Sequence, residues 1–168
     1  PVIQWEKDQT EDAGLVKIDL LGNRSLAVIR DALAAVARNT GRVIDYATWD
    51  PLSDPATNEL IRRGDTMGCF YVESPATRLL LKKLWVGMPP ARRAVADVFE
   101  YLVVVSSIIR PAANVFADEF VRRAHGQRYQ SLHPLLDEVL AETHGIMVYQ
   151  EDVMKVAVAL GGFSVEDG

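Results

Sequence analysis

Near the start of the chain, Leu15-Val16-Lys17-Ile18-Asp19-Leu20-Leu21 alternates apolar and polar side chains. At a period of two, Val16, Ile18 and Leu20 share one face and Lys17 and Asp19 the other, which predicts a strand ended by Gly22. The first twelve residues of the chain mix Trp5 with Glu6, Lys7, Asp8, Glu11 and Asp12 and read as a polar loop. Beyond the strand the spacing changes. Leu26, Ile29, Leu33, Val36 and Ala37 recur at helical intervals between Arg24 and Arg38, with Gly41 as a stop. Residues 43–53 read as irregular. Asp54-Pro55 and Ser74-Pro75 each pair a capping side chain with a proline suited to a first turn, which predicts helices ending at Gly64 and near Leu84. Cys69-Phe70-Tyr71-Val72 between them reads as a short strand or extended turn, and Pro89-Pro90 as a break.

Residues Ala91 to Ile109 are ambiguous, because Val103-Val104-Val105 and Ile108-Ile109 are β-branched. The length of the apolar run favours one buried helix, ended or kinked by Pro111. Further helices are expected at 112–125, 135–143 and 150–160, stopped by Gly126, Gly145 and Gly161-Gly162. The predicted fold is mainly α: one strand, then about six or seven helices. A lone strand is not a sheet, so its partners are expected in a longer parent chain.

Composition narrows the class. The 168 residues are 49% hydrophobic and 24% charged, with 11 Gly and 8 Pro, which excludes a low-complexity or disordered tail. The lone cysteine, Cys69, excludes a disulfide framework and a multi-cysteine metal site and suits a reducing cytoplasm. A formal charge of −5 excludes a generally basic nucleic-acid coat but not a local site. The most apolar window, Val98 to Ile109, is interrupted by Glu100 and two serines and is far shorter than a span of about 20 residues, so no membrane association is expected. No signal peptide is read. A start at Pro1 and an end at Glu166-Asp167-Gly168 point to a fragment.

Asp19 carries the most chemistry. Aspartate is disfavoured inside strands, yet here it sits between Ile18 and Leu20 with Lys17 roughly 6.5–7 Å away on the same face. A carboxylate ligating Mg²⁺ beside a lysine neutralising phosphate is one reading; a solvated strand face is the other. Glu6 and Asp8 form a second acidic pair or a surface run. His125, His133 and His144 show no metal-ligand spacing, and two of them precede glycines at expected helix ends. The pairs Arg62-Arg63, Lys82-Lys83, Arg92-Arg93 and Arg122-Arg123 are phosphate contacts or solubilising faces. Arg110, after an apolar run, is expected to need a carboxylate, a helix terminus or a phosphate. Tyr71 and Tyr149 are base-stacking or core-rim residues. The common nucleotide-binding and nucleophile motifs are missing.

Several blocks in order resemble the bacterial DNA polymerase III alpha subunits, the C-family replicative polymerases. They are residues 2–8, 13–22 and 64–74, Ile109-Arg110-Pro111, residues 120–126, Leu132-His133-Pro134-Leu135-Leu136 and residues 145–154. The resemblance implies the last strand of a polymerase β-like nucleotidyltransferase palm over residues 1–22, followed by the N-terminal part of a helical fingers domain over 23–168. It implies Asp19 as the third of three aspartates holding two Mg²⁺ ions and Lys17 as a contact to the incoming triphosphate; Arg110, whose charge calls for a partner, is the further candidate for substrate binding. The other two aspartates would lie in an upstream D-x-D motif, which this chain lacks. The implied partners are primer–template DNA and deoxynucleoside triphosphate, with a sliding clamp and a proofreading exonuclease as companions of the parent. Many members have Arg-Pro-Gly-Pro where this chain has Arg110-Pro111-Ala112-Ala113, which implies a less sharply turned exit. The fragment alone is expected to be inactive. The competing readings are a non-catalytic helical module that binds protein or nucleic acid, and a hydrolase pairing Asp19 with Glu6 or Asp8.

Overall fold

The computed structural model describes residues 2–18, 20, 22, 24–110 and 114–164. The chain divides into two compact units, 1–49 and 50–168.

The first unit holds α1 (Lys7–Asp12) and α2 (Arg24–Thr40). The loop expected at the start is thus in part a helix. Glu6 is extended, its carbonyl accepts the N–H of Thr10 at 3.1 Å and the hydroxyl of Thr10 at 2.8 Å, and Thr10 is buried. Asp8 in the first turn suits the helix dipole, and Lys7 pairs with Glu11 at 3.6 Å one turn on. Charge pairing, not an apolar stripe, marks this helix, so hydrophobic periodicity misses it.

The expected strand is not observed among the described residues of 15–20. Val16 and Ile18 are 79% and 72% exposed. Alternation marks a face, but a strand also needs a neighbour for its backbone N–H and C=O groups, and none is present among the described residues. In α2, Ile29, Leu33, Val36 and Ala37 form a half-buried stripe, as their spacing predicts.

The second unit is a helical bundle. α3 (Pro55–Arg63) starts where Asp54 accepts the Thr57 N–H at 2.7 Å, and it ends at Gly64 in the left-handed region. α4 (Pro75–Val86) starts where the Ser74 hydroxyl accepts the Thr77 N–H at 3.2 Å. Both caps match the sequence expectation. Residues 69–72 are a series of turns instead of a strand.

The single helix expected over 91–109 is two: α5 (Pro90–Val95) and α6 (Val98–Ile108). Asp97 is the cause. Its carboxylate accepts the N–H groups of Phe99 at 2.7 Å and Glu100 at 3.0 Å, which starts a helix in the middle of the apolar run. Pro89-Pro90 likewise begins a helix instead of only interrupting one.

α7 (Asn114–Ala124) and α8 (Pro134–Val139) follow, then a 3₁₀ turn at Ala141–Thr143 and α9 (Gln150–Gly161). The helix expected over 135–143 therefore tightens in its second half. The buried carboxylate of Asp152 accepts the N–H groups of Val148 and Tyr149, both at 2.9 Å, and fixes the start of α9.

α4 is the central element, packed against α3, α6 and α7, while α8 packs on α9. Leu81, Leu84 and Trp85 from α4, Val105 from α6 and Phe120 from α7 are almost fully removed from water. No helix among the described residues is long and apolar enough to cross a membrane.

Candidate functional site

Asp19 lies outside the described residues. Lys17 is exposed and lines a shallow concavity of 480 Å³ in the first unit, with Trp5, Glu6, Lys7, Leu15 and Val16 among its walls. The concavity combines two lysines and one glutamate with an apolar floor. Asp8 is exposed on α1. Among the described residues, no three His, Cys, Asp or Glu side chains gather to hold a metal ion. The described donors therefore do not fit a complete Mg²⁺ site, which calls for near-octahedral oxygen ligation.

Arg110 belongs to the second unit and corrects an expectation. It is exposed, because α6 stops at Ile108 and the chain has already turned to the surface. Its N–H donates to the Ile108 carbonyl at 2.9 Å, and no carboxylate among the described residues pairs with its guanidinium. Water can satisfy it, so burial does not demand a partner.

The basic pairs are largely committed within the bundle. Glu59 takes Arg93 at 3.4 Å and Arg62 at 4.0 Å, and Arg62 lies over the Trp85 ring at 5.2 Å. Glu119 receives both Arg122 and Arg123, which hold its carboxyl below the usual carboxylate range. Arg123 also donates to the His144 carbonyl at 2.9 Å and covers the Tyr129 ring at 3.9 Å. Lys83 pairs with Asp118 at 3.3 Å.

The histidines cap and pack. His125 Nε2 lies 2.7 Å from the Leu84 carbonyl in the last turn of α4. His133 Nδ1 accepts the Leu135 N–H at 3.2 Å and caps α8. The His144 ring packs on Phe120, and its Nε2 lies 3.0 Å from the Tyr101 hydroxyl. Burial lowers the pKa of His144, and Arg92 and Arg123 lower it further. Burial raises the Tyr101 and Tyr149 phenols. Tyr149 is half-buried beside Tyr101 and Glu142 and is a rim residue of the bundle.

Tyr71 is different. It is 71% exposed and adopts φ 71° in the loop joining α3 to α4. Thr66, almost fully buried, donates its hydroxyl to the Val72 carbonyl at 2.6 Å and closes that loop. The Gly68 N–H donates to Glu73 at 3.2 Å, and Arg78 Nε donates to the Gly64 carbonyl at 3.1 Å. The ordered loop therefore presents Met67, Phe70 and Tyr71 to solvent. Its glycines announce a turn in the sequence, but nothing there announces which side chains the turn displays.

The second unit is thus a helical bundle whose basic pairs are largely ion-paired and whose loop between α3 and α4 exposes aromatic side chains. Residues 25–168 match the bacterial DNA polymerase III alpha subunit finger domain. The chain belongs to this family. It is 38% identical over 165 residues to DNA polymerase III subunit alpha of Neisseria meningitidis serogroup A, covering 98% of this chain and 14% of that protein. The Chlamydia pneumoniae protein of the same name is 36% identical over 166 residues, covering 98% and 12%. That of Staphylococcus aureus strain COL is 36% identical over 162 residues, covering 96% and 14%. The chain thus spans 12–14% of the length of these relatives.

Proposed function

We propose that this chain is part of a DNA-directed DNA polymerase, with residues 1–22 ending a palm domain and residues 23–168 forming the N-terminal part of the fingers. The observation that carries the reading is the match of 25–168 to a finger domain, joined to identity of 36–38% over nearly the whole chain with replicase alpha subunits. The reaction is transfer of a nucleotidyl group from a deoxynucleoside triphosphate to a primer 3′-hydroxyl. Asp19 is the metal ligand, Lys17 the contact to the triphosphate and Arg110 a contact to substrate. Bound Mg²⁺ would lower the pKa of the attacking hydroxyl and neutralise charge on the leaving pyrophosphate. The remaining ligands come from elsewhere in the longer protein, which also meets primer–template DNA, a sliding clamp and a proofreading exonuclease in the cytoplasm.

One feature supports this reading. The apolar face of the alternating segment, Val16 and Ile18, is uncovered, which suits a segment awaiting sheet neighbours. The test is primer extension. The chain alone with Mg²⁺ is expected to add no nucleotides, and the whole polymerase is expected to do so. Extension by the isolated chain would overturn the division of the site between this segment and the rest.

A further inference from the structure

We propose that the segment from His133 to Gly145 is a proton-sensitive latch, held on the helical bundle by a neutral histidine at each end and released locally when those histidines take up protons. The proposal stands on the second unit alone and does not depend on the polymerase reading.

The first histidine holds by a lone pair. His133 is the exposed residue before α8, and its Nδ1 accepts the Leu135 N–H at 3.2 Å. A protonated imidazole carries hydrogen on both nitrogens and accepts nothing, so this cap exists only for the neutral ring. α8 is six residues long, and a helix that short depends heavily on its end contacts.

The second histidine holds by packing. The half-buried His144 ring lies 5.5 Å from the Phe120 ring of α7 and 6.0 Å from the Tyr101 ring of α6, and its Nε2 is 3.0 Å from the Tyr101 hydroxyl. The charges that bear on it from other elements are cations: Arg92 of α5 and Arg123 of α7. Arg123 is fixed there by the His144 carbonyl and by Glu119, and the Tyr129 phenol lies under it. The turn of His144 itself carries Glu142, which is exposed. An imidazolium at this place would be partly removed from water and repelled by both arginines.

Between the two ends the hold is slight. No residue of α8 is buried, and the main apolar core draws on Ile146 and Val148 but on nothing in α8. Leu140 and Thr143, buried in the turn, are the contacts that release must break. The segment can therefore leave while the core stays closed.

Hydrogen exchange read by mass spectrometry on the whole polymerase at pH 7.5 and 5.5, with each rate divided by its intrinsic chemical rate, tests this. Peptides within 134–145 are expected to be less protected than α4 at both pH values. Their protection is expected to fall by about tenfold between the two, the effect of one released histidine with an ordinary pKa of 6.5. His133→Ser keeps a capping oxygen, and His144→Asn suits the left-handed backbone at φ 54°. The double variant is expected to lose that fall. Protection of 134–145 equal to that of α4, no fall with pH, or an undiminished fall in the double variant would overturn the latch.

Discussion

His144 combines three interactions at one position. Its ring meets Phe120 and Tyr101, its carbonyl accepts from Arg123, and its backbone is left-handed at φ 54°. The ring is half-buried near two arginines, so its protonated form is disfavoured in the fold. A histidine whose folded pKa lies below its unfolded value costs no stability while both states are neutral. Stability is lost as pH falls below the unfolded pKa of 6.5, because only the unfolded chain then gains the proton. The chain is therefore expected to melt at a lower temperature at pH 5.5 than at pH 7.5. His144→Asn, which suits the backbone, should reduce that difference in a calorimetric pH series. Gly64 makes a different demand. Gly64→Ala adds a left-handed backbone penalty and a contact with backbone, so a loss of about 1–3 kcal/mol is expected in urea denaturation. Gly41→Ala, also at positive φ but with open space around it, should cost less.

The legibility of the helices depended on where their signals lie. Asp54-Pro55 and Ser74-Pro75 were readable because capping is local: side chain and backbone donor are three residues apart. Asp97 makes the same kind of cap but sits inside an apolar run, where periodicity masks it. Asp97→Ala removes the acceptor for two N–H groups and is expected to cost about 0.5–2 kcal/mol. Urea denaturation checks this, and Asp97→Asn should retain most of the stability. Phe120, fully buried where α7 meets α4 and α6, belongs to the opposite regime. Phe120→Ala leaves a cavity and is expected to cost about 3–5 kcal/mol by the same measurement. The strand expected at 15–20 is not observed among the described residues for a reason that also belongs to this scale. Alternation at 15–20 encodes a face to be covered, but the covering strand is not encoded locally.

For the whole molecule, family membership was legible because its blocks are spread along nearly the entire chain, and the match over 25–168 agrees. The helical class followed from spacing. The site was less legible. Arg110 was expected to be a charge in need of a partner, and its exposure depends on where α6 ends, which spacing alone does not fix. The display of Phe70 and Tyr71 depends on a hydrogen-bonded loop whose closing residue, Thr66, is indistinguishable in sequence from a surface threonine. The basic pairs were visible as charge, but their partners Glu59 and Glu119 come from packing. The proposed role of Asp19 concerns the longer protein and is tested there. In primer extension with Mg²⁺, Asp19→Asn in the whole polymerase is expected to lower the rate by more than about a hundredfold, since even outer-shell partners of a metal contribute 10- to 100-fold. DNA binding should persist. Extension at the unaltered rate by the Asp19→Asn polymerase would contradict the assignment.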